Sequence, residues 1–137
     1  LIDGIKWKDY IKDRRRLDML SAISSALSGL LAFAKKTNVI SNNLANTLTD
    51  DFKKSRVTMK EGSKGGVEAV VEKVNSPGYP IPEIIRQDSN VSAKETSNID
   101  IAEEMTNLIL TSKGYKANLK TIKAADENLG ALLDIKA

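Results

Sequence analysis

The sequence predicts a mainly α fold with a small β insert. Long N- and C-terminal helices pair as a coiled coil, with a short β-hairpin and extended region between them. Three observations carry this. Apolar residues recur at heptad spacing near both ends of the chain. The β-branched runs and all three prolines fall in the stretch between. Aromatic residues make up only 4% of the 137 residues against 41% hydrophobic overall. Ala, Ser, Leu and Ile therefore fill the interior, which favours close helix–helix packing over a thick core.

Four segments follow: 1–18, 19–49, 50–97 and 98–137. The first, "LIDGIKWKDYIKDRRRLD", differs from what succeeds it. Its six basic and four acidic residues account for +2 of the net charge of +3. It reads either as a basic arm or as a leader or non-native extension ahead of a start at Met19. Arg-Arg can be encoded by a ribosome-binding sequence, and it stands a few codons upstream of that Met.

The N-terminal helix is expected from about Met19 to Asn46, with Asp18 as N-cap. Leu20, Ile23, Leu27 and Leu30 lead a seam that continues through Ala34, Thr37, Ser41 and Leu44, widened by Ala26, Leu31 and Phe33. Gly29 in mid-helix costs up to about 1 kcal/mol relative to Ala, and it permits another helix to approach. The run closes on Asn42, Asn43 and Asn46. Asparagine suits a C-terminal turn because its amide competes for backbone hydrogen bonds and it tolerates left-handed φ.

Residues 52–61 and 65–74 read as two short strands of a hairpin opened by Gly-Gly. Pro80 and Pro82 exclude a central strand over 75–84. "RQDSNVSAKETSN" (residues 86–98) is expected to be extended.

The C-terminal helix is expected from Ile101, capped by Asn98 or Asp100, with Glu103 and Glu104 favoured near its N-terminus. One row is Ile101, Leu108, Tyr115, Ile122 and Leu129. The other is Met105, Ser112, Leu119, Asp126 and Leu133. Asp126 either sets register at a core position or lies at the rim.

There is no cysteine and no histidine. That removes thiolate chemistry, the commonest general base and the commonest metal ligand. No catalytic, metal or cofactor site is expected. The carboxylate pairs Glu103/Glu104 and Asp126/Glu127 are helix neighbours pointing about 100° apart, so neither converges on a substrate. Outside residues 1–18 the chain is nearly neutral, which argues against nucleic acid. No membrane span and no secretory signal is expected, because no run reaches about 18 apolar residues.

Two stretches carry a resemblance. "SALSGLLAFAKKTNVISNNLANTLTDDFKKS" (residues 25–55) resembles the N-terminal motif of the bacterial flagellar rod and hook axial proteins, of the type A-N-N-I-A-N-x-N-T-x-G-F-K. "SNIDIAEEMTNLILTSKGYKANLKTIKAADENLGALLDIK" (residues 97–136) resembles their long C-terminal motif. The short insert is similar to that of short rod-type members; Phe52-Lys53-Lys54-Ser55 and the C-terminal end look more like the hook and distal-rod branch. Leu48 and Asp51 depart from the pattern, Asp51 standing where the family usually has Gly. A left-handed turn is expected there, at some cost.

The resemblance implies a structural subunit of the flagellar basal body. Such proteins leave the cell through the flagellar type III export apparatus without a cleaved signal. They assemble through their terminal helices with copies of themselves and with other rod and hook proteins. It implies that Asn42, Asn43, Asn46, Thr49 and Phe52 form a hinge and cap where the first helix turns towards the insert. The alternative is a non-polymerising coiled-coil adaptor or regulator of flagellar assembly.

Overall fold

The computed structural model describes residues 4–63, 65–82 and 94–134. Helix α1 spans Gly4–Ala45, strands β1 and β2 span Ser55–Glu61 and Val67–Lys73, and helix α2 spans Ile101–Asp134. At 1.5 Å per residue the helices are about 63 and 51 Å long. Most of the polar stretch over 86–98 lies outside the described residues.

Helix α1 starts fifteen residues ahead of the expected Met19 and passes through it unbroken. Asp18 is therefore not an N-cap; it is an exposed interior residue of the helix. Nothing between Gly4 and Ala45 breaks a helix, since proline is absent. The apolar seam marked where burial was expected, but helix formation needs no burial to continue outward from it.

The strands pair antiparallel from Ser55↔Lys73 to Glu61↔Val67, as the alternation indicated. The Gly65-Gly66 turn has φ of 81° and 78°, the left-handed region that glycine enters without penalty. One face of the hairpin packs on α1, where Ala32, Val57 and Ala69 are buried together beside Val39 and Met59. Lys35 Nζ donates to Ala69 O (3.0 Å), and Val67 N donates to Ser28 Oγ (2.9 Å). A hairpin this short needs such a support. Pro80 joins only an isolated bridge, to Glu95.

Helices α1 and α2 pair antiparallel, but not along the expected seam. An added Cβ at Gly29 would fall on the Asn118 amide, and one at Gly114 would fall on the Phe33 ring. Asn43 Nδ2 donates to Glu104 Oε1 (3.2 Å). The contact rows are thus Ala26, Phe33, Ile40 with Gly29, Lys36, Asn43 on α1. On α2 they are Glu104, Thr111, Asn118, Ala125 with Asn107 and Gly114. All of these are buried or half-buried. The contact rows lie one residue back from the expected seam on both helices, or about 100° round each axis, so the expected coiled-coil seam is not the contact. Small and polar side chains let the backbones approach, and Asn43 and Glu104 satisfy each other inside the contact.

The expectation of no membrane span rested on the lack of an unbroken run of about 18 apolar residues, and mean hydropathy over a window is a looser measure. Within Tyr10–Ala45, α1 holds an 18-residue window that qualifies by length and composition, and only 22% of that window is buried. Ser21, Ser24, Ser25 and Ser28 interrupt its apolar residues, which hid it from a search for an unbroken run.

Candidate assembly site

The site has two parts: a polar junction beside the insert, and the apolar residues that the helix pair leaves uncovered.

At the junction α1 ends in overlapping turns. Asn46 N donates to Asn42 O (3.2 Å) and Asn43 O (3.0 Å), and Thr49 N donates to Asn46 O (3.1 Å). Asn46 Nδ2 donates to Asn42 O (2.9 Å), and Thr49 Oγ1 donates to Asn46 Oδ1 (3.2 Å). The Asn46 side chain thus adds a second donor to Asn42 O, beside the backbone N–H of the same residue. Asn42 contributes its carbonyl, and its side chain is exposed. The chain then turns at Asp51, the one non-glycine residue with positive φ (59°) among those described. Asparagine and aspartate tolerate this conformation best among residues with a Cβ. Asp51 N donates to Glu95 O (2.8 Å) and Asp51 Oδ1 accepts from Glu95 N (3.0 Å), so its carboxylate holds the turn that its backbone makes.

Asn43 does something other than cap. It is 1% exposed. Its Oδ1 accepts from Ser55 N (3.0 Å), and its Nδ2 donates to Ser55 O (2.8 Å) as well as to Glu104. One amide therefore ties α1, the start of β1 and the first turn of α2. Asn98 is a second node. Its Oδ1 accepts from Lys54 N (2.7 Å), and its Nδ2 donates to Val74 O (2.8 Å) and Ser76 O (2.9 Å). The cap of α2 is accordingly Asp100, whose Oδ1 accepts from Ala102 N (2.8 Å) and Glu103 N (3.1 Å). Half-buried Phe52 adds a carbonyl that accepts from Asn98 N (3.3 Å).

Charges at the junction are paired within it. Lys54 Nζ meets Glu103 Oε2 at 2.6 Å. Glu103 and Glu104 border a cleft of about 180 Å³ that also holds Lys36 and Arg56. Lys53 donates to Glu95, whose other oxygen accepts from Gly78 N (2.8 Å). The Lys53 hydrogen bond is the main cause holding the Glu95 carboxyl below its usual range, and Gly78 N–H adds to it against some desolvation. A depressed carboxyl contributes stability above its unfolded pKa and loses it as pH falls through the folded value. We expect Glu95 to titrate below the ordinary glutamate range by carboxyl NMR. Lys53→Gln should return it upward; an unchanged titration would remove the pair as the cause. Among the described residues no group of three or more Asp or Glu could hold a metal ion.

The expected seam residues divide. Leu30 is buried, and Ile23, Leu108, Ile122 and Leu129 are half-buried. Leu20, Leu27, Ile101, Met105, Tyr115 and Leu119 are exposed. The Leu133 side chain lies outside the described ones. Ser112 and Asp126 are exposed too, so the rim position is the correct one of the two weighed for Asp126. Pattern reading missed Glu104, Thr111 and Asn118 as contact residues. Their signal was present as a seven-residue repeat ending at Ala125, but hydrophobicity gives no weight to small and polar positions.

Two family descriptions match this arrangement, one for each helix. Residues 23–53 match the flagella basal body rod protein family. Residues 90–135 match the C-terminal region of the flagellar basal body rod FlgEFG proteins. The chain belongs to the flagellar rod and hook protein family. Among relatives, the basal-body rod protein FlgG of Bacillus subtilis is 51% identical over 43 residues, covering 31% of this chain and 16% of that protein. The hook protein FlgE of Helicobacter pylori is 40% identical over 45 residues, covering 33% and 6%. FlgE of Escherichia coli is 36% identical over 44 residues, covering 32% and 11%. The chain thus matches well under a fifth of the length of these rod and hook relatives. Both the Asn cluster with its turn and the capped start of α2 fall inside the two family-matched stretches.

Proposed function

We propose that the chain is a structural subunit of the flagellar rod or hook axial structure in the basal body. It passes through the flagellar type III export apparatus and assembles through α1 and α2 with copies of itself and other axial proteins. One observation carries the reading: a helix pair of this family closes on its small and polar faces and leaves large apolar side chains in water. Leu20, Leu27, Ile101 and Met105 are about half exposed, so each gains roughly 0.7–1.5 kcal/mol if neighbouring subunits bury it fully. Asn42, Asn43, Asn46, Thr49 and Phe52 then hold the insert at a set angle to the helices.

The test separates export from assembly. Asn46→Ala removes the side-chain cap and leaves the buried junction intact. Secreted protein is expected at the normal level, with clearly reduced incorporation into purified basal bodies. Normal incorporation would sink the assembly role of this turn. The small hairpin insert favours a second reading, an adaptor that does not polymerise. A monomer or closed dimer that persists at all concentrations in size-exclusion chromatography would support the adaptor instead.

A further inference from the structure

The ion pairs of the junction leave three charges of its cleft unmatched. The first is Glu104, which is only 4% exposed. Its Oε1 accepts from Asn43 Nδ2, and among the described residues its Oε2 has no hydrogen-bond partner. That oxygen is open to the cleft and not sealed inside. Ser97 Oγ is the one fully enclosed side-chain atom without a partner among the described residues, and Glu104 stands in the cleft wall. The other two charges are Lys36 and Arg56, which line the same cleft. Neither forms an ion pair among the described residues. Lys54 is already held by Glu103.

Buried polar atoms are nearly always partnered, and a buried carboxylate is costly unless its oxygens find donors. The cleft therefore has one unfilled acceptor facing two unfilled cations. That combination excludes the simple occupants. A bare anion would lie against the Glu104 carboxylate, and a bare cation would be repelled by Lys36 and Arg56. A metal ion lacks ligands, since no group of three or more acidic side chains converges among the described residues. A molecule with both charges satisfies all three groups. Its ammonium donates to Glu104 Oε2, and its carboxylate accepts from Lys36 and from the Arg56 guanidinium, whose fork fits a carboxylate. The volume of about 180 Å³ is below the roughly 300–1,000 Å³ of sites for drug-sized ligands, so the occupant is small. Val39 and Val57 add an apolar wall, which suits a short aliphatic side chain.

We infer that this cleft is a binding site for a small zwitterion of the aliphatic α-amino acid class. The site lies within one chain and needs no neighbouring copy. Its walls come from α1, β1 and the first turn of α2, the same three elements that Asn43 joins. An occupant adds a second tie between them and stabilises the junction in proportion to its occupancy.

The probe is L-valine, titrated into the full-length chain and followed by saturation-transfer NMR. Isobutylamine and isovalerate serve as analogues that keep the aliphatic group and one charge each. L-Valine is expected to bind with a Kd of about 1 mM or tighter, and each analogue at least about tenfold more weakly. Arg56→Gln alters an exposed side chain and should weaken L-valine by about tenfold or more. Glu104→Gln keeps an oxygen for Asn43 and removes the charge. It should weaken L-valine by a similar factor while isovalerate binds more tightly than to the wild type, because the repulsion is gone. Isovalerate binding to the wild type as tightly as L-valine would overturn the zwitterion site in favour of a plain anion site. Absence of a saturable L-valine signal at about ten times that Kd would overturn it outright. So would an unchanged L-valine affinity in Arg56→Gln.

Discussion

Replacing Asn43 by alanine is expected to lower the stability of the folded chain by about 2–4 kcal/mol, the largest effect of any single polar substitution at the junction. The amide makes three hydrogen bonds, to Ser55 N, Ser55 O and Glu104 Oε1. Alanine leaves all three partners behind. Each such bond contributes about 1 kcal/mol net, and the buried groups left without a partner add the desolvation that they no longer recover. Glu104 is the most costly of them, as a carboxylate in a buried setting. Asn43→Asp does not rescue the site: it keeps an acceptor for Ser55 N but sets a second carboxylate against Glu104 and against Ser55 O. The control is Asn42→Ala, one position away and exposed, which should stay within about 0.5 kcal/mol. Urea unfolding of the three variants reads the difference. An Asn43→Ala variant as stable as wild type would show that the amide does not hold the three elements together.

Gly114→Val is expected to cost about 1–3 kcal/mol, by the usual price of overpacking. The Phe33 ring occupies the space that a Cβ at position 114 would need. Glycine in mid-helix is otherwise unfavourable by up to about 1 kcal/mol relative to alanine, so the ring is what makes it the better residue here. The cause can be isolated with a double-mutant cycle. Phe33→Ala alone removes part of a half-buried ring and costs stability through lost contacts. Together the two substitutions should destabilise less than their separate effects predict, by about 1 kcal/mol or more, because valine then enters the vacated space. Strict additivity would show that the close approach at this crossing is incidental.

These two sites differ in how far they could be read from sequence. The Asn cluster was visible at once, and the family motif marked it as a hinge and cap. In the structure Asn46 bonds only locally, its Nδ2 donating to Asn42 O and its Oδ1 accepting from Thr49 Oγ1. Yet Asn43, one turn earlier, points into the protein and bonds a strand twelve residues on and a helix sixty-one residues on. No local pattern separates the two, because the difference lies in which face of α1 meets the insert. The left-handed turn at Asp51 was legible because it depends only on local backbone sterics and a family position usually held by glycine. Asp100 and Asn98 were equal candidates for the α2 cap. The choice fell to Asp100 because the Asn98 amide is engaged by Lys54, Val74 and Ser76, which only the folded chain brings near.

By itself the sequence determined that there are two long helices, the hairpin and its Gly-Gly turn, and the family. Each follows from residues near one another in the chain: periodic apolar positions, absent prolines, β-branched alternation, and motifs of contiguous residues. Tertiary structure alone decided the phase of the helix pair. Hydrophobic periodicity states which side of a helix must leave water, but not whether a neighbouring element of the same chain or another molecule will cover it. Here the closest packing is available where Gly29 meets Asn118 and Phe33 meets Gly114. The pair closes there, and the apolar rows turn outward.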